Sequence, residues 1–132
     1  MSTAEDRRWH PRVPEEDKVT VTILASPDSL DLEGRTFFCS TRDISAGGLR
    51  FCVHSDVPVD AKLELRVELA SPVDVFTHVG RVVWEKELEE DGFFAHYIGV
   101  QFVETKENRQ LAWRSMVSKK LSAHGTVADE AP

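Results

Sequence analysis

Residues 35–54 read RTFFCSTRDISAGGLRFCVH, and this stretch decides the fold. Its centre, Asp43 to Gly48, ends in paired glycines, which favour a tight turn because glycine adopts positive φ without steric cost. In the run after the turn, apolar residues take every second position, namely Leu49, Phe51 and Val53. That period is typical of a strand with one buried face. The stretch therefore predicts a β-hairpin with its tip at Asp43 to Gly48.

Four further runs of period two flank this hairpin. They cover residues 19–24, 63–69, 73–84 and 93–103. Gly99 lies inside the last run and indicates a bulge or a close backbone approach. The acid-rich segment 85–92 is predicted to be the solvated tip of a second hairpin. Six short strands at this spacing predict a small antiparallel barrel.

The period becomes helical near the end of the chain. Thr105 is a candidate N-cap, and four apolar residues after it share one helix face: Trp113, Met116, Val117 and Leu121. The predicted fold class is all-β, a six-stranded antiparallel barrel with a C-terminal α-helix over residues 105–121 that covers part of the barrel. The polar ends, residues 1–6 and 122–132, are predicted to be a disordered N-terminus and a flexible tail.

Composition excludes several classes of protein. The chain has 132 residues, which suits one domain, and 23 acidic against 16 basic residues give a net charge of -7. That charge argues against a partner that is a nucleic-acid polymer, including a single strand bound on a barrel. No apolar run approaches the roughly 20 residues of a membrane span, and the N-terminus has no secretory h-region. With only two cysteines, the expected location is cytoplasmic.

The sequence carries no motif for catalysis or metal binding. No two of its five histidines have the i, i+4 spacing of a helical zinc site, and Cys39 and Cys52 form no CxxC. A GxSxG nucleophile elbow and a GxxxxGK[ST] phosphate loop are also absent. We therefore expect no catalytic residue, no metal site and no cofactor. The enzyme alternative is a flavin-dependent oxidoreductase on a similar small barrel, which would be yellow.

Two segments carry chemistry suited to an anionic nucleotide. The first, residues 7–12, contains Arg7, Arg8 and Arg12, whose planar guanidiniums match phosphates and guanine edges. The alternative interpretation of residues 7–12 is a flexible basic N-terminal tail. The second segment is the hairpin tip with Asp43, Ser45, Gly47 and Gly48. Its carboxylate can accept from guanine N–H groups, its hydroxyl can donate, and its glycines admit a flat base, although it is also simply a good turn.

The order and spacing of these segments resemble a known family. Arg8-x-x-x-Arg12, followed 31 positions later by Asp43-x-Ser45-x-x-Gly48, resembles the two-part signature of PilZ domains, RxxxR before the first strand and [D/N]xSxxG at a hairpin. Segments 80–84 (GRVVW) and 98–102 (IGVQF) also look like PilZ strands.

The resemblance covers residues 7–121 and implies a barrel that binds cyclic di-GMP. It divides the chain into an N-terminal ligand-binding loop (7–17), the barrel (18–103) and the helix (105–121). By resemblance, Arg8 and Arg12 contact guanine edges and phosphates, while Asp43, Ser45 and Gly48 hold a guanine. For Arg7, contact with a second stacked ligand and simple solvation both remain open.

The function expected from this resemblance is that of a single-domain receptor. Mutual repulsion of the arginines predicts that the loop is loosely placed without ligand and becomes ordered when ligand binds. A downstream effector protein would then recognise the changed surface. The alternative is a PilZ-like adaptor that binds no ligand and serves only in protein interaction. A monomer and a homodimer are both compatible with the sequence.

Overall fold

A computed structural model describes residues 11–27 and 30–124 of the chain. Within these residues lie seven strands and one α-helix. The strands are β1 (Val13–Pro14), β2 (Lys18–Ala25), β3 (Thr36–Ser45), β4 (Gly48–Val53), β5 (Lys62–Ala70), β6 (Val73–Glu90) and β7 (Phe93–Thr105). The helix is α1 (Gln110–His124), and short 3-10 turns cover Leu30–Leu32 and Lys106–Asn108.

The strands form one closed antiparallel sheet. Their order is β1-β3-β2-β5-β6-β7-β4, and β4 also pairs with β3, so that β2 to β7 close a six-stranded barrel. Strand β1 is the seventh strand and pairs with the last part of β3, at Asp43 and Ile44. The barrel with a C-terminal helix confirms the predicted fold class. Among the described residues, no helix is long and apolar enough to cross a membrane.

The hairpin at the centre of the sequence is confirmed. Strands β3 and β4 pair up to Ser45 and Gly48, which leaves only Ala46 and Gly47 in the turn. The tip is therefore tighter than the predicted Asp43 to Gly48. Asp43 lies within β3, opposite Arg50, next to a register shift. Because a strand rather than a loop carries Asp43, the orientation of its carboxylate is fixed by the barrel.

The second predicted tip is instead a long two-stranded arm. Strands β6 and β7 stay paired as far as Glu90 and Phe93, and only Asp91 and Gly92 form the turn. The prediction of a solvated loop over 85–92 is thus wrong for residues 85–90. Charged residues at alternate positions of a two-stranded ribbon need no loop to reach water. We call residues 85–96 the acidic arm.

Gly99 makes the close approach that its position in a strand predicted. A Cβ at this residue would overlap the indole of Trp84. The pairing of β6 with β7 shifts register between Val82 and Trp84, next to the same point. The ring of Trp84 therefore lies against the bare backbone of β7.

Helix α1 covers one end of the core, with Trp113, Met116 and Val117 buried as predicted. The helix begins at Gln110 rather than Thr105 and continues to His124. Thr105 is not its cap, because the Thr105 hydroxyl is 2.8 Å from Nδ1 of His78. The residues between them include Glu107 and Asn108, both with positive φ, a conformation that an α-helix cannot contain.

Candidate functional site

Asp43 is the centre of the candidate site. Only 7% of the residue is exposed. Arg50, its partner across the β3–β4 hairpin, donates from Nε to both carboxylate oxygens, at 2.9 and 2.7 Å. Arg50 Nη2 also contacts the second oxygen. A buried carboxylate needs such partners, since an unpaired charge with this little solvent is strongly disfavoured.

Arg12 reaches the same carboxylate from the N-terminal side. Its Nη1 lies 3.1 Å from Asp43 Oδ1, and its side chain is three-quarters buried. The adjacent strand β1 sets this geometry, since Val13 pairs with Ile44 and Pro14 with Asp43. Two of the predicted site residues, 31 positions apart, therefore touch. The remaining arginines of the first motif, Arg7 and Arg8, lie outside the described residues.

Residues 12–17 lie against the barrel. Val13 is fully buried in the core, and Arg12 and Arg50 meet at one carboxylate. The ordering of the loop by ligand stays a prediction. The Thr41 hydroxyl donates to the carbonyl of Glu15 at 2.5 Å and accepts from the N–H of Asp17 at 2.9 Å. These contacts supply the docking surface that the sequence did not reveal.

The C-terminal helix also holds this segment. Lys120 Nζ lies 3.1 Å from the carboxylate of Glu15, and both side chains are largely buried. Asp17 lies two residues after Glu15. Burial, together with the charge of Glu15, raises the pKa of the Asp17 carboxyl group. The segment that carries Arg12 is thus fixed to both the barrel and α1.

The turn residues of the second motif have structural contacts. The Ser45 hydroxyl donates to the carbonyl of Gly48 at 3.2 Å, and the residue is almost fully buried. The Gly47 carbonyl accepts from the N–H of Phe102 at 2.8 Å. A Cβ at Gly48 would overlap the carbonyl oxygen of Val100. In this structure Ser45 and the two glycines hold the hairpin tip against β7, and Asp43 alone of the motif offers a charged group.

A tryptophan of α1 connects the helix to this tip. The indole N–H of Trp113 donates to the carbonyl of Ser45 at 2.8 Å. The Trp113 ring stands nearly perpendicular to the rings of His78 and Phe102, whose centroids are 4.4 and 5.5 Å away. His78 stacks on Phe102 at 3.8 Å, and burial lowers the pKa of its imidazole to about 3. Through this neutral, packed cluster Trp113 connects the hairpin tip to the helix.

Two arginines near Asp43 were not among the predicted site residues. Arg50 follows the glycine pair by two positions, and the register of the hairpin places it across from Asp43. Arg42 contacts the Tyr97 hydroxyl and lies 4.9 Å from the centre of the Tyr97 ring. Two guanidiniums therefore share one carboxylate, and a third lies on the next strand position. These three guanidiniums outnumber the one carboxylate, and guanidiniums suit an anion.

Comparisons with known proteins identify a matching family and similar folds. A family model described as the PilZ domain matches residues 6–118. Among solved structures, the motility inhibitor MotI (DgrA) of Bacillus subtilis superposes with a TM-score of 0.66 at 12% identity, over 89% of this chain and 52% of that one. MrkH of K. pneumoniae in its apo state gives 0.65 at 16% identity, over 86% of this chain and 50% of that one.

A neighbour of matching length also exists. The PilZ domain of YcgR from Escherichia coli, solved with c-di-GMP, gives a TM-score of 0.60 at 15% identity, over 95% of this chain and 94% of that domain. The present chain spans only about half the length of MotI and MrkH. No curated protein has significant sequence similarity to it. At these identities the solved structures show the fold alone.

Proposed function

The chain belongs to the PilZ domain family, and from that premise we propose that it is a receptor for the second messenger cyclic di-GMP. The observation that carries the proposal is the convergence of Arg12 and Arg50 on Asp43. Structures of YcgR and MrkH include cyclic di-GMP, so this barrel accommodates that ligand in neighbouring proteins.

The chemistry of the cluster suits the two parts of the ligand. A guanine presents adjacent N–H donors on one edge, and a carboxylate is an acceptor that can bond two of them. We assign this role to Asp43. The phosphates need cations, and an arginine meets a phosphate with two parallel hydrogen bonds. We assign this role to Arg12, together with Arg8, and leave Arg7 for a second ligand or for solvent.

Ligand binding then requires an exchange of partners. In the structure Arg12 donates to Asp43, and we propose that a guanine that takes over the Asp43 oxygen releases Arg12 towards phosphate. Arg50 bonds both oxygens of Asp43 and keeps the carboxylate oriented during the exchange. Each charge-assisted bond contributes roughly 1.5–3 kcal/mol. Because one such bond is given up, we expect moderate affinity and a strong dependence on Arg12.

The output of such a receptor is a changed surface. Trp113 joins the hairpin tip to α1, and Lys120 joins the N-terminal segment to the same helix. We propose that the exposed face of α1 and the ordered N-terminal segment together present the liganded state to an effector protein. Nucleic-acid polymers and membranes are not needed for this role.

Isothermal titration calorimetry with cyclic di-GMP tests the proposal. We expect the wild-type chain to bind, and Arg12→Ala and Asp43→Asn to lose at least tenfold in affinity, about 1.4 kcal/mol each. Arg66→Ala is the matched control, because Arg66 is an exposed guanidinium paired with Glu68 on the far strand β5. Melting curves of each variant report whether the barrel remains folded.

The outcomes separate the possible functions. If the wild-type chain releases no heat with cyclic di-GMP and its melting temperature does not change, the receptor proposal is wrong and the adaptor without a ligand takes its place. If binding occurs but Arg12→Ala and Asp43→Asn match Arg66→Ala, the ligand binds elsewhere on the barrel. The molecular mass measured in solution with and without ligand, divided by the mass of one chain, gives the oligomeric state.

A further inference from the structure

Three potential metal ligands meet at the base of the acidic arm. Asp56 belongs to the loop between β4 and β5, Glu85 to β6 and His96 to β7. One ligand atom from each of the three lies within 4.8 Å of the other two. They come from three separate segments, so no local turn or helix accounts for their meeting.

The contacts between His96 and Glu85 are close and largely buried, as among metal ligands, whereas a solvated run of charges would be exposed. His96 Nδ1 lies 3.0 Å from a Glu85 oxygen, and both side chains are about four-fifths buried. On the other side of the ring, Nε2 is 3.7 Å from a carboxylate oxygen of Glu87. The imidazole thus lies between two glutamates of the opposite strand, and a carboxylate beside a ring nitrogen helps to orient a metal-binding histidine.

The two carboxyl groups of the cluster are an unfavourable pair by themselves. Two ionised carboxylates at this separation repel each other unless a proton or a cation lies between them. A cation bound between them would have both carboxylate oxygens and the imidazole within reach.

We propose that Asp56, Glu85 and His96 bind a divalent first-row metal ion, of the zinc or manganese class. Two carboxylate oxygens and one imidazole nitrogen form a donor set that these ions accept. Metal–ligand bonds of about 2.0–2.2 Å place neighbouring ligands about 3.4 Å apart, so small side-chain rotations complete the shell. Water would occupy the remaining positions.

The site is separate from the Asp43 cluster. His96 pairs with Val53 on β4, whereas Arg50 pairs with Gly99 three positions away, which is about 10 Å along the strand. The proposal therefore does not depend on cyclic di-GMP. A bound ion would join the loop that holds Asp56 to both strands of the arm and stabilise that junction.

Calorimetric titration of zinc chloride into the full chain tests the assignment. We expect saturable binding of one ion by the wild-type protein, and Glu85→Gln or His96→Gln to weaken it at least about tenfold. Glu89→Gln is the matched control, since it removes the same charge from an exposed position of the same strand. Its affinity for zinc should stay within about twofold of the wild type, as for a distant surface charge.

Cobalt supplies a second measurement that distinguishes this site from the cysteines. Oxygen and nitrogen ligands give cobalt weak visible bands, whereas Cys39 or Cys52 would add a strong thiolate band in the near ultraviolet. Weak bands that disappear in Glu85→Gln support the proposal. A thiolate band, zinc affinity unchanged in both cluster variants, or no saturable binding would each overturn it. A loss of zinc binding counts only if the variant keeps the wild-type far-ultraviolet spectrum.

Discussion

Replacing Trp113 by phenylalanine tests the connection between α1 and the hairpin tip. Trp113 is 1% exposed and donates its indole N–H to the carbonyl of Ser45. Phenylalanine keeps a ring in the cluster but has no donor and lacks the three extra atoms of the indole. The substitution therefore removes one hydrogen bond and part of one side chain while the helix backbone stays unchanged.

The magnitude follows from these two losses. A buried carbonyl that loses its donor costs about 1–3 kcal/mol, and Ser45 is almost without solvent contact. The two additional buried carbons of the indole contribute roughly 1.6 kcal/mol at 0.8 kcal/mol per methylene-sized group. We expect a total destabilisation of about 3 kcal/mol, together with weaker binding of cyclic di-GMP because the tip that carries Asp43 loses its support.

Urea unfolding followed by circular dichroism measures the stability change, and calorimetry measures the affinity. Leu111→Ala is the control, because Leu111 is on the same helix and 74% exposed, so that its loss should cost under about 0.5 kcal/mol. If Trp113→Phe unfolds at the same urea concentration as Leu111→Ala, the indole does not support the tip. If stability falls and ligand affinity stays unchanged, the helix is not linked to the site.

Three further predictions concern the barrel. Gly48→Ala should lower stability by about 1–3 kcal/mol, because its Cβ would overlap the Val100 carbonyl; an unchanged melting temperature would contradict the close approach of β4 and β7. His78 has a pKa lowered by burial from 6.5 to about 3, so the unfolded state binds the extra proton and stability falls as pH drops from 6.5 towards 3. Between pH 6.5 and 5 protonation of this group in the unfolded state should lower the free energy of unfolding by about 2 kcal/mol. The dependence of that free energy on pH, measured by urea unfolding, should be shallower in His78→Phe. An equal dependence on pH argues against the buried neutral imidazole. Burial raises the pKa of Cys39 to about 12, with Cys52 adding to the rise, so iodoacetamide at pH 8 should alkylate Cys39 only in urea, as peptide mass spectrometry would show.

Local periodicity in the sequence was sufficient for the barrel and for the buried face of the helix. The β3–β4 hairpin is encoded by an alternation of apolar residues around a glycine pair, and both signals lie within 20 residues. The start of α1 was misplaced because Glu107 and Asn108 are ordinary helix residues by composition. Their left-handed backbone, at φ of 63° and 56°, depends on how β7 ends against His78, which no local pattern records.

The candidate site was predictable only in part. Arg12 and Asp43 were identified through a resemblance to a family, and the structure brings them into contact. Strand β1 was missed because two residues have no period, and its stability comes from pairing with β3. Arg50 was missed because its partner is chosen by hairpin register. The ligand-binding roles of all the predicted site residues remain predictions, namely those of Arg7, Arg8, Arg12, Asp43, Ser45, Gly47 and Gly48.

The acidic arm has a consequence for how copies of the chain meet in concentrated solution. Beyond Val82 on β6 and before His96 on β7, the described strands pair only with each other. Apart from the Phe94 carbonyl, which lies 3.2 Å from a ring nitrogen of His54, their outer edges are therefore open to strand addition. Glu87 and Glu89 are exposed on β6, and Phe93 and Phe94 are exposed on β7 near the tip of the arm. Like charges deter edge-to-edge association. Acidification or high salt would weaken that protection, and aggregation would then begin at this ribbon, with the two phenylalanines as its apolar contact.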